Sequence, residues 1–287
     1  LELTEEHSKT HKRVKILGKY PILSFIIIAF ILTYGVGIPF NMWVSQNLKI
    51  PNPFDIYLSR LITVISPGIS AIILMWSNKE KIALKRFFPA SENIHYYFLI
   101  PFLTLLISVI SLISGGTSAD LITTIIQENW EQLIFHLILQ ILIIGIGEEL
   151  GWRGWLLPNL NKKYTLLKAM FFVLIIWTLW HFPILFQRSE ILIPWLLIIT
   201  GATMILTWSW KKFGNNILLF AVIHGSINYP QFFWDNQTNR IDSQLVLNGW
   251  TISGYIYFVL GIVALISMNK VFKTKYKTNT ETLGRGL

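Results

Sequence analysis

A largely apolar run, Leu133 to Ile146, leads directly into Gly147-Glu148-Glu149-Leu150-Gly151-Trp152-Arg153-Gly154, and Trp155-Leu156-Leu157 follows. Two carboxylates and a guanidinium therefore sit inside a segment that otherwise reads as membrane-embedded. An ionisable side chain at that depth is costly and marks a functional site by default. On a helix Glu149 and Arg153 are four apart and share a face, a spacing that predicts an ion pair. Glu148 is rotated by about 100° from Glu149 and has no such partner in sequence. One glutamate is thereby neutralised and the other is left to do chemistry.

The chain holds six histidines. His7, His11 and His95 fall in the amino tail or at the edge of a span and read as solvated or interfacial. His136, near the outer start of the fourth span, is a weaker candidate. His181 and His224 each sit within an apolar stretch, Phe171 to Pro183 and Ile217 to Ile227. A lone buried histidine is more often a satisfied core residue. Two of them on separate spans, with an intramembrane glutamate pair on a third, favour a site. Asn228 follows His224 by four residues and Trp177 precedes His181 by four, so each shares a helix face with its histidine. Gly145, Gly147, Gly151 and Gly154 flank the glutamates. Small residues let membrane helices approach closely, which serves packing and also brings the histidine helices to the carboxylates.

One carboxylate, two imidazoles and a carboxamide suit hydrolysis by an activated water. Glu148 takes the proton, a histidine orients the water, and His224 with Asn228 donates to the developing oxyanion. No cofactor is expected. Zinc is the alternative, with Glu148, His181 and His224 as ligands, although no short two-histidine metal motif is present.

These residues need helices to hold them. Of the 287 residues 53% are hydrophobic and only 14% charged, with a mean hydropathy of +0.54. A soluble domain carries about 25% charge. Several apolar runs approach the ~20 residues that span a bilayer. The fold class is all-α, a polytopic membrane protein. Eight spans are expected, at about 21–43, 57–77, 95–114, 132–153, 166–186, 190–210, 214–230 and 250–269. They divide the chain into an amino tail (1–20), a membrane domain (21–269) and a polar carboxyl tail (270–287) without regular structure. The first twenty residues are polar and basic, so neither a cleavable signal peptide nor a soluble domain is expected. Zero cysteines exclude disulfides and thiolate metal sites.

Twenty of the 24 basic residues fall in alternate connections and in both tails; Lys49, Arg60, Arg188 and Arg240 lie on the other side. By the positive-inside rule both termini are cytoplasmic. The net charge of +9 is thus topology and not a nucleic-acid footprint. The outer connections are 115–131 and 231–249, and residues 120–133 could lie flat on the interface. Depth is consistent for two of the candidates. His224 is about 18 Å along a helix from Lys212, and Glu148 about 21 Å from Lys162. His181 fits only if the fifth span begins near Lys168, with residues 154–164 as an interfacial or re-entrant piece.

The chain resembles the CPBP intramembrane proteases, which include the type II CAAX prenyl endopeptidases and the Abi-type bacteriocin-immunity proteins. The resemblance rests on Glu148-Glu149-Leu150-Gly151-Trp152-Arg153-Gly154, similar to a Glu-Glu-x-x-x-Arg-Gly motif. It also rests on Trp177 four before His181, where phenylalanine is usual, and on His224-x-x-x-Asn228. It covers residues 130–232. It implies an α-helical membrane endopeptidase with Glu148 as catalytic base and His181 as its partner. His224 and Asn228 become the oxyanion stabilisers, and Glu149 with Arg153 a structural support. It implies a membrane-anchored peptide or protein as substrate, possibly prenylated. Two other readings stand beside it: a non-proteolytic immunity or scaffold protein, and a proton-coupled transporter, against which no inverted repeat is visible. A bacterial plasma membrane is the expected location.

Overall fold

In a bilayer every backbone polar group needs an internal partner, so apolar runs of this length become helices. The computed structural model describes residues 19–51, 54–80, 84–88, 93–182 and 189–283, with side chains of the last helix described to Met268. His7 and His11, four of the five basic residues of the amino tail, Pro183 and Arg188 lie outside them. The described residues form helices and turns, without a strand. The helices are α1 (Pro21–Asn47), α2 (Phe54–Ser77), α3 (Tyr96–Ser114), α4 (Ala119–Asn161), α5 (Leu166–Trp180), α6 (Leu192–Phe213), α7 (Ile217–Asp235) and α8 (Ser243–Leu283). A short 3₁₀ turn, Leu84–Phe87, lies between α2 and α3.

The helix order follows the expected spans, and the count of about eight crossings is not confirmed. Six helices among the described residues are long and apolar enough to cross a membrane. The other two are α5, which is apolar but has only 15 residues, and α7, whose apolar run is interrupted by His224, Asn228 and Gln231. Both carry candidate site residues, and the polar His224, Asn228 and Gln231 lower the hydropathy of α7. The protein is an all-α, multi-pass membrane protein.

Three boundaries differ from expectation. The outer connection 115–131 is mostly helix: α4 starts at Ala119 and bends at Asn129 (φ −129°, ψ 23°), whose Nδ2 donates to the Ile125 carbonyl. Residues 154–161 continue α4 instead of forming a separate re-entrant piece. The fifth helix does begin late, at Leu166, capped by the Thr165 hydroxyl. Finally, α8 runs on to Leu283 through the polar tail expected to be irregular. A helix already nucleated inside the membrane extends at little cost per residue.

At its centre α4 is wedged between α2 and α7 by glycines. A Cβ on Gly151 would lie 2.6 Å from Pro67 backbone, and one on Gly68 2.6 Å from the Gly147 carbonyl oxygen. On the opposite face a Cβ on Gly145 would lie 2.6 Å from the Ala221 carbonyl. Gly145 thus seats α4 against the His224 helix, as expected, whereas Gly147 and Gly151 seat it against α2, which carries no site residue. Around this contact an aromatic core forms. Phe25 stacks on Trp155 and meets Trp152 edge-on, and Trp152 meets Trp180 edge-on.

Candidate active site

Two π-helical stretches, Gln140–Gly145 and Trp152–Leu156, flank the short α-helical turn Ile146–Gly151. Such wide turns recur at functional sites. Here they bracket the glutamate pair. The second has a visible cause and consequence. Pro158 stands four residues after Gly154 and has no N–H to return to the Gly154 carbonyl. That carbonyl is served from outside: Arg86 Nη2 donates to it at 2.8 Å and Asn215 Nδ2 at 3.3 Å. The loop 84–88 and the α6–α7 connection are therefore pinned to the helix that carries the carboxylates.

Glu149 and Arg153 pair as the spacing predicts, with Nη1 2.8 Å from Oε1 and both side chains 0% exposed. The same Oε1 also lies 2.8 Å from His224 Nδ1. Glu149 is thus more than a support for the arginine: it holds the α7 histidine as well. With Nδ1 turned to a carboxylate, His224 presents Nε2 on the far side of its ring. Burying a charge this completely is tolerated only with partners, and Glu149 has two.

Glu148, only 2% exposed, is not left without partners. Its Oε2 accepts the indole protons of Trp177 at 2.8 Å and Trp152 at 3.2 Å. Trp152 follows Glu148 by four residues, the same spacing as Glu149 and Arg153, so this donor was legible in the sequence and was missed. Trp177 was expected on the helix face of His181. Its ring does border His181 (5.8 Å between centroids) and His224 (5.2 Å), and Arg153 Cζ lies 4.3 Å over it. It is also a hydrogen-bond donor, which a phenylalanine at this position could not be.

His181 closes α5 as its C-cap (φ −88°, ψ 1°). Its Nδ1 lies 2.9 Å from the Trp177 carbonyl, so Nδ1–H donates and Nε2 carries the lone pair. The ring is half-buried among Trp177, Trp180 and Trp195. Asn228, one turn beyond His224 on α7, is partly buried, and no hydrogen bond involves its carboxamide among the described residues. Glu148, Glu149, Arg153, Trp177, His181 and His224 are thus joined by direct contacts from three helices, and Asn228 stands at the edge of the group.

His136 is elsewhere. It is 0% exposed, with Tyr57 Oη 2.7 Å from Nδ1 and Asn236 Nδ2 3.2 Å from Nε2. Gln140 Nε2 donates to the same tyrosine hydroxyl at 3.3 Å. Both ring nitrogens are engaged, which makes it a satisfied core histidine.

Among the described residues no three His, Asp or Glu side chains are grouped to hold a metal ion. Glu148, His181 and His224, the set considered for zinc, form no such group as they stand. The bonds that hold this carboxylate and these two rings come from indoles, a backbone carbonyl and Glu149.

Residues 130–230 match the family model described as type II CAAX prenyl endopeptidase, Rce1-like. A curated relative, "CAAX prenyl protease 2" of Methanococcus maripaludis, is 34% identical over 102 residues, which cover 32% of this chain and 38% of that protein. The chain thus matches well under half the length of this relative. Every side chain of the cluster just described lies inside the matched segment, from Glu148 to Asn228. Residues 130–230, with Glu148-Glu149-x-x-x-Arg153-Gly154, Trp177-x-x-x-His181 and His224-x-x-x-Asn228, are thus similar to the type II CAAX prenyl endopeptidases of the CPBP family.

Proposed function

We propose that the protein is an intramembrane endopeptidase acting on membrane-anchored, CAAX-type substrates, with water activated by protein side chains. The observation that carries this is the meeting of Glu148, His181 and His224, from three helices, around the single indole of Trp177.

Glu148 is the base. Two indole N–H groups aim its Oε2 without adding charge. A water beside the carboxylate loses a proton to it and attacks the scissile carbonyl carbon. His181, with Nδ1 committed to backbone, offers Nε2 to orient that water. His224, held at Nδ1 by Glu149, donates from Nε2 to the developing oxyanion. Asn228 adds a neutral donor on the same face of α7. Glu148 then returns its proton to the leaving amine. The carboxylate is nearly closed off from outside, which keeps bulk water away from the reacting groups. A membrane-anchored substrate has no need to leave the lipid phase to reach such a site. The alternation of basic residues along the sequence supports a cell-membrane protein with both termini cytoplasmic.

The test is cleavage of a lipid-anchored CAAX-type peptide by the protein in nanodiscs, followed by mass spectrometry. Glu148→Gln, His181→Ala and His224→Ala are each expected to lower turnover at least ~100-fold while the protein stays folded. EDTA is expected to leave turnover unchanged. Full activity in all three variants would exclude the hydrolytic reading, and a cellular phenotype that survives them would favour a non-proteolytic role.

A further inference from the structure

The end of α5 is an awkward place to hold a reacting side chain. The last carbonyls of any helix lack intrahelical donors, and at membrane depth no bulk water replaces them. Leu179 is worse placed than most, because the residue four positions on is Pro183, which carries no N–H in any conformation. His181 sits directly at this end, and its Nδ1 takes its orientation from the Trp177 carbonyl of the same final turn.

Helix α1 supplies what is missing. The Tyr34 hydroxyl donates to the Trp180 carbonyl at 2.8 Å, with the Leu179 carbonyl 3.4 Å away. Its neighbour Thr33 accepts the Trp180 indole proton at 2.7 Å. Adjacent residues on an α-helix diverge by about 100°, yet these two engage the main chain and the side chain of one residue. They do so within the π-helical stretch Ile31–Gly37. The contacts continue in one direction. Thr33 hydrogen-bonds Ser66 of α2, and Ser66 donates to the Thr63 carbonyl at 2.8 Å. Thr33 and Ser66 are buried. The Trp180 ring so anchored lies edge-on to His181, 4.7 Å between centroids.

We propose that Tyr34 and Thr33 are positioning residues for His181, making α1 a fourth contributor to the site although it lies outside the segment shared with the family. The proposal rests on the hydrolytic reading for its kinetic arm and on geometry alone for its spectroscopic arm. Tyr34 and Thr33 bond to Leu179, Trp180 and Ser66. They hold the final turn of α5, and that turn holds the imidazole.

The experiment uses full-length protein with Tyr34→Phe and Thr33→Val, each of which removes hydrogen-bonding capacity with little change of volume. Three quantities are read: kcat and KM on the lipid-anchored peptide, the unfolding temperature in detergent, and the His181 ring signals of ¹⁵N-histidine-labelled protein. The His181 signals are assigned by their loss in His181→Gln. The expected result is a ~10- to 100-fold fall in kcat, the scale of a misplaced catalytic group. KM is held, and the His181 signals shift or broaden while those of His136 stay in place. Unchanged kcat with unmoved His181 signals overturns the proposal. So does a fall in activity that only tracks lost folded protein while His181 in the folded fraction is unmoved. Should the wild type cleave nothing, the peptidase reading fails by itself. The His181 signals then still decide the positioning role, for it if they move and against it if they do not.

Discussion

Trp177 on α5 donates its indole proton to Glu148 on α4 across 2.8 Å. This bond joins two motifs that are 29 residues apart, and the same indole ring borders both histidines and lies under Arg153. One side chain thus packs as an aromatic and directs the proposed base as a donor.

Trp177→Phe separates those roles. The ring contacts survive and the hydrogen bond is lost. A hydrogen bond to a charged group contributes about 1.5–3 kcal/mol. If Glu148 is the base, turnover falls ~10- to 100-fold with little change in unfolding temperature. A steady-state assay paired with thermal unfolding measures this. Undiminished turnover would show that Trp152 alone suffices to aim the carboxylate.

Glu149 carries two buried partners, and its loss is predicted to act on the fold before the chemistry. Glu149→Gln leaves the Arg153 guanidinium, 0% exposed, without its counter-charge. Breaking a buried pair from one side costs about 3–5 kcal/mol. Glu148→Gln, which strands no cation, costs less. Denaturant unfolding of the two variants in the same detergent gives the comparison. Equal losses would mean that Glu149 and Glu148 share Arg153.

The glycine wedge predicts a steric penalty. Gly151→Ala places a methyl group 2.6 Å from Pro67 backbone atoms, which have no flexible end to move aside. Overpacking of this kind costs about 1–3 kcal/mol, and α4 would shift against α2. Gly214→Ala is the instructive contrast: nothing lies within 4 Å of its added Cβ, and its cost comes from a φ of +72°. A lower unfolding temperature together with altered α2–α4 cross-linking is expected for the first variant only.

Arg86 is predicted to matter although it lies in a loop outside the matched segment. Arg86→Ala removes the nearer of the two donors to the Gly154 carbonyl. An unsatisfied buried acceptor costs about 1–3 kcal/mol, lessened here by Asn215. Amide exchange is expected to rise around 152–158 and to stay unchanged in α8. If exchange is uniform, the loop does not brace α4.

The sequence was most informative where its chemistry is local. The Glu149–Arg153 pair follows from a spacing of four on a helix, and Trp152 with Glu148 obeys the same rule. Apolar runs located the helices, since a lipid environment leaves the backbone no other way to satisfy itself. The start of α5 at Leu166 matches the span expected at 166–186. The motif order on separate helices pointed to the family, and the contacts around Trp177 are compatible with that reading.

Other relations run between helices, and residue spacing holds no record of them. Nothing in the order of residues says that His224 turns Nδ1 to Glu149, or that Arg86 and Asn215 reach a carbonyl left open by Pro158. Nor does it say that Tyr34, far from the motifs, caps the helix that ends at His181. Spacing along one helix fixes which side chains share a face. Which faces then meet depends on glycine-sized gaps and on orphaned carbonyls finding donors, and those conditions are met only once all the helices are packed.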